Sequence, residues 1–137
     1  MVRRAAAPAL VLVVALAVLA AGCGGSSAPY TADGTAKCLE KKGFTEVTTV
    51  PEKVGLIAAF AENGGLRAKA PNGNVVTIAF AQDAAGAGAT EDAFKAHASP
   101  FYKSHIADVM ESQRNAVLVW TTAPSELQLS TALGCLH

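Results

Sequence analysis

One unbroken apolar run dominates the start of the chain: from Ala5 to Ala21 no side chain carries a charge or a hydrogen-bonding group. Beyond it the apolar positions come in short pieces whose spacing predicts the elements. Asp33 to Lys42 reads as a helix, with an Asx cap before it, Lys41 and Lys42 at its negative end and Gly43 free to take the left-handed turn. Leu39 and Phe44 then stand where a Schellman motif places its hydrophobic pair. Thr45 to Val50 is rich in β-branched residues and extended, and Pro51 suits the first turn of a helix running to Ala61. A competing reading makes Leu56 to Ala61 a strand turning at Asn63-Gly64, and residues 52–62 are open between the two, with the alanines favouring helix.

Leu66 to Ala70 and Val75 to Ala81 flank Pro71, Asn72, Gly73 and Asn74, residues that tolerate the positive φ of a tight hairpin. A loop through Gly88 leads to Thr90, a cap for a helix with Glu91 and Asp92 in its first turn, which Pro100 bends or ends. Ile106 to Glu111 and Ala116 to Thr122 form a second hairpin, and Pro124, Ser125 and Glu126 open a last helix reaching Cys135. Two hairpin-then-helix units in succession, Leu66 to Lys103 and Ile106 to Leu136, predict an α+β domain: a small antiparallel sheet of two β-hairpins with helices packed on it. Alternation puts Val76, Ile78 and Phe80 on one face of their strand and Leu118 and Trp120 on one face of theirs, the buried layer. The opposite faces, with Val75, Thr77, Ala79, Val117, Val119 and Thr121, remain largely apolar. Either the helix from Glu52 to Ala61 or an N-terminal strand covers them, or they form an open face that pairs two protomers or receives a ligand.

The apolar run follows Arg3 and Arg4 and is somewhat short for a spanning helix, which needs roughly 20 residues, so it reads as a secretion signal over residues 1–22. Its end, Leu19-Ala20-Ala21-Gly22-Cys23, resembles the lipobox of bacterial lipoproteins, in which a cysteine thiol is diacylated before the chain is cut on its N-terminal side. Leu19 stands one place earlier than that family's commonest leucine, and Ala20 occupies the usual place. The resemblance implies a lipid-carrying (palmitate-type) Cys23, attachment to the outer side of the cell membrane, and a mature chain of 115 residues left when 22 of 137 are removed. A cut after Gly22 without lipid and an uncleaved anchor helix are the alternatives. Residues 23–32, rich in Gly, Ser, Ala and Pro, are expected to be a flexible tether in which Tyr30 docks first, and 33–137 a single domain.

Once the lipid claims Cys23, Cys38 and Cys135 are left as one possible pair in an oxidising compartment, a disulfide joining the first helix to the last. A redox role would call for close Cys-x-x-Cys spacing, which is missing. Losing Arg3 and Arg4 turns a balance of 11 basic and 11 acidic residues into 9 against 11, a net charge of −2, which offers no cationic surface for nucleic acid.

Chemistry has few candidates. A metal site would need His97, His105 and a carboxylate such as Asp108 to converge, yet their spacing does not put both histidines on one helical face. No serine stands in a Gly-x-Ser-x-Gly elbow, and neither Gly64-Gly65 nor the run from Ala84 to Ala89 has the strand–glycine–helix context of a nucleotide site. Through Cys38-Leu39, Gly64-Gly65, Asn74 to Phe80, Asn115 to Trp120, Pro124 and Cys135-Leu136 the mature chain is similar to a loose group of small bacterial lipoproteins of unknown function. That resemblance implies the domain and the disulfide but no activity, catalytic residue, metal or cofactor. The expected function is a lipid-anchored, extracytoplasmic, non-catalytic binding or interaction module, with the membrane as partner through Cys23 and a protein partner or second copy at the face of Val75, Val117 and Val119. The alternative is a small enzyme or metal-binding accessory factor whose site is not visible in sequence and comes together only in three dimensions, with His97, His105 and Asp108 as the nearest candidate cluster.

Overall fold

The computed structural model describes residues 27–137. Helix α1 spans Ala32–Lys41 and is capped by Thr31, whose hydroxyl accepts from the Gly34 N–H. It therefore starts before the expected Asp33, which sits in its first turn instead. Its end is the Schellman arrangement: Phe44 N–H donates to Leu39 O, Gly43 N–H donates to Glu40 O, Gly43 has φ 88°, and Leu39 and Phe44 are both buried. Strand β1 is short, Thr45–Thr48. The helical reading holds over the strand reading, but as two single turns, α2 (Pro51–Val54) and α3 (Leu56–Ala59), broken at Gly55 with φ 93° and ending two residues before the expected Ala61.

Strands β2 (Gly65–Lys69) and β3 (Val75–Phe80) form the first hairpin, closed by Gly73 N–H donating to Ala70 O with Gly73 at φ 92°. Helix α4, Ala84–His97, begins six residues before the expected Thr90. The Asp83 carboxylate caps it by accepting from Gly86 N–H at 2.8 Å, and four alanines among residues 84–89 outweigh the glycine cost that suggested a loop. Ser99 and Pro100 do end α4, but they also start a new helix, α5 (Pro100–Val109), with Ser99 as cap. Ile106 to Val109, expected as strand, belong to α5, and β4 covers only Met110–Gln113. Strand β5 (Ala116–Trp120) completes the second hairpin, and helix α6 (Glu126–Gly134) opens on a capping box between Ser125 and Gln128.

All pairings are antiparallel, in the order β1-β2-β3-β5-β4, so the two expected hairpins join through β3 and β5 and β1 adds an edge. One face carries Leu66, Ala68, Val76, Ile78, Phe80, Leu118 and Trp120 against Leu39 of α1 and Ala132 and Leu136 at the C-terminus. Cys38 and Cys135 are disulfide-bonded, with Cα atoms 5.3 Å apart, and bind α1 to the end of α6 on that side. The other face is partly roofed: Val54 and Ala58 of α2 and α3 pack on Ala79, and Ala87 of α4 packs on Ala81 and Val117.

Candidate functional site

The second sheet face is covered at one end only. Ala79, Ala81 and Val117 are fully buried, while Val75, Thr77 and Val119 are half-buried. Val117, expected on an open interaction face, is thus unavailable at the surface, because α4 starts early enough to lie over it.

Between the roofing helices a groove remains. Its floor is the paired residues Thr77 and Val119 of β3 and β5. Ile57 forms one wall, and Phe94 and His97 of α4 form the other. The groove has two lobes of about 350 and 330 Å³ that share these five residues. One lobe reaches Leu56 and Gly55, and the other runs past Tyr102 and Ile106 of α5 to Thr121. Positive φ at Gly55 breaks the chain between α2 and α3, which lets Val54 and Ala58 both bury while Ile57 turns to the groove. Tyr102 is fixed at the wall by its hydroxyl, which donates to Thr121 O at 3.2 Å. Trp120 borders the same lobe, and its Nε1–H has no hydrogen-bond partner among the described residues.

The lining is chiefly hydrocarbon and aromatic, with His97 as its one imidazole, the Thr77 hydroxyl at the floor, and the hydroxyls of Ser99, Tyr102 and Thr121 at the lobe that runs past α5. Such a surface binds by excluding water from apolar area and offers few groups for bond making. A depression of about 430 Å³, larger than either lobe alone, lies across the molecule between Lys42, Pro71 and Leu127, but the Gln128 side chain bonds Asn72 within it.

His97, His105 and Asp108 are not brought together as one cluster. His105 Nδ1 and Asp108 Oδ2 lie 3.6 Å apart, one helical turn from each other on α5, both exposed. They line an adjoining depression with Phe101 and Thr122, which shares Tyr102 and Thr121 with the groove, whereas His97 lines the groove itself. No group of three or more His, Cys, Asp or Glu side chains among the described residues is placed to hold a metal. The neighbouring Ser112 hydroxyl chiefly holds the Glu91 carboxyl below its ordinary range, against the opposing effect of its partial burial and with help from Lys95, although Ser112 Oγ forms no well-made hydrogen bond.

Sequence reasoning found Thr77 and Val119 through strand alternation but missed Ile57, Phe94 and Tyr102. Ile57 sits where helix and strand readings competed, and the other two are placed by helix packing that no local pattern encodes. Cys23 lies outside the described residues, of which no helix is long and apolar enough to cross a membrane. None of the known family models matches this chain, nor does any curated protein or solved structure.

Proposed function

We propose that this chain is a lipid-anchored extracytoplasmic protein, held to the membrane through Cys23, whose domain is a non-catalytic binding module taking an apolar ligand or side chain in the groove above Thr77 and Val119. The observation that carries the reading is the groove itself, a carbon-rich concavity left between helices on an otherwise roofed sheet face. Its volume suits a small hydrophobic group. The lipobox-like Leu19 to Cys23 supports the anchor, and the net charge of −2 after leader removal supports an apolar rather than polyanionic partner.

The test uses the mature protein and the fluorescent probe N-phenyl-1-naphthylamine. Binding with enhanced, blue-shifted emission is expected, and Thr77→Arg, a change at a half-buried floor position, should weaken it by about tenfold while leaving the fold intact by circular dichroism. Equal probe affinity in parent and variant would remove the groove from consideration. The mass of the mature N-terminus tests the anchor separately.

A further inference from the structure

We infer that the sheet end carrying Arg114, Tyr30 and Phe60 is a membrane-seating surface that lies on a zwitterionic bilayer; this rests on the lipid-anchor reading of Cys23. The first observation is how short the leash is. Arg114, in the turn between β4 and β5, donates from Nη2 to Ser27 O at 2.8 Å and to Ala28 O at 2.7 Å. Its guanidinium carbon lies 4.3 Å from the centroid of the Tyr30 ring. Asn115 holds the same segment from inside, accepting from Tyr30 N–H at 2.8 Å and donating to Tyr30 O at 2.9 Å, while Gln113 Nε2 donates to the Tyr30 hydroxyl at 3.2 Å. The chain is thereby tied to the domain from Ser27 onward, where a free tether through residue 32 was expected. Three residues, and so four Cα-to-Cα steps, separate Ser27 from the lipid-bearing position, a reach of about 14 Å at full extension. A domain on so short a leash must keep this end near the bilayer.

The second observation is what that end exposes. Asn63 closes it, its carbonyl accepting from Ala32 N–H and its Nδ2 donating to Ala81 O, the same oxygen that Asn115 reaches. Three residues before Asn63 stands Phe60, 81% exposed, the most exposed large apolar side chain among the described residues. Beside them α4 starts with Ala84 and Ala85 exposed and with no charged residue from Ala84 to Thr90. An aromatic ring in water gains by entering the headgroup boundary, and an uncharged helix start does not resist it. Only Nη2 of Arg114 is engaged by the Ser27 and Ala28 carbonyls, which leaves guanidinium donors for a lipid phosphate. Glu62 and Asp83 are also exposed here, so the surface fits zwitterionic lipid better than anionic lipid. Seated this way, the groove lobe that reaches Thr121 lies toward the end of β5 away from the bilayer.

The experiment places the full-length, natively processed protein in phosphatidylcholine vesicles containing brominated acyl chains, which quench nearby indoles. Emission of Phe60→Trp, taken as the difference from the parent protein with its buried Trp120, should fall by about twofold, and that of Leu127→Trp at the opposite end should not change. Adding Arg114→Ala to Phe60→Trp should reduce the quenching by freeing the leash. Vesicle-bound protein whose Phe60→Trp emission is as unquenched as that of Leu127→Trp overturns the seating and leaves the anchor standing. Failure to float with vesicles, together with an unacylated N-terminal mass, overturns the anchor and the seating with it.

Discussion

Two buried asparagines hold the ends of β5. Asn74, 8% exposed, accepts from Thr121 Oγ1 and Thr122 N–H and donates to Thr122 O, and Asn115, 2% exposed, joins Tyr30 and Ala81. Buried amides of this kind stabilise only while every partner is present, since an orphaned group keeps its desolvation cost. Asn115→Ala strips Tyr30 N–H, Tyr30 O and Ala81 O of one partner each. Its expected cost is about 2 to 4 kcal/mol in urea denaturation, and a loss within experimental error would show that water replaces all three contacts. Gly65 is another residue whose identity is set by a neighbour: a Cβ there would come within 2.4 Å of Ala58 O, so only glycine lets α3 lie on β2. Close approach of two backbones, not a turn, is what requires glycine here.

At the scale of elements, the ends of helices decide more than their middles. Asp83 moves the start of α4 to Ala84, which puts Ala87 over Val117; Ser99 and Pro100 break the following segment into a second helix that supplies Tyr102 to the groove. The disulfide acts on the same scale. Cys38 and Cys135 are 97 residues apart, so the bond restricts almost the whole domain when unfolded, worth up to about 4 to 5 kcal/mol in the chain-entropy description. Reduction, or Cys38→Ser with Cys135→Ser, should lower the urea midpoint accordingly while far-ultraviolet circular dichroism in water stays unchanged. An unchanged midpoint would mean that packing of Leu39 and Leu136 alone holds α1 to α6.

For the whole molecule, the governing feature is a sheet with helices on both faces, one face sealed and the other left with a slot. This layering changes what a substitution at Val117 reports. On an open face, Val117→Lys would disrupt association of protomers; beneath Ala87, with no exposed surface, it buries an unpaired ammonium group. The expected result is loss of more than about 3 kcal/mol of stability at unchanged oligomeric state, measured by denaturation and light scattering at several concentrations. A stable Val117→Lys variant would contradict the roof formed by α4.

The antiparallel sheet, the two hairpins, the Schellman end of α1 and the α1–α6 staple were all legible in sequence. Each rests on local rules: period-two alternation in Val75 to Phe80 and Ala116 to Trp120, positive-φ residues at Gly43 and Gly73, and a count of thiols. The same rules placed Thr77 and Val119 on the second face but could not say what lies above them. That depended on where α4 begins, on the break at Gly55, and on Ala58 finding room over Gly65. These are matters of fit between segments distant in sequence, and tertiary packing alone decided that the apolar face would be half roof and half groove.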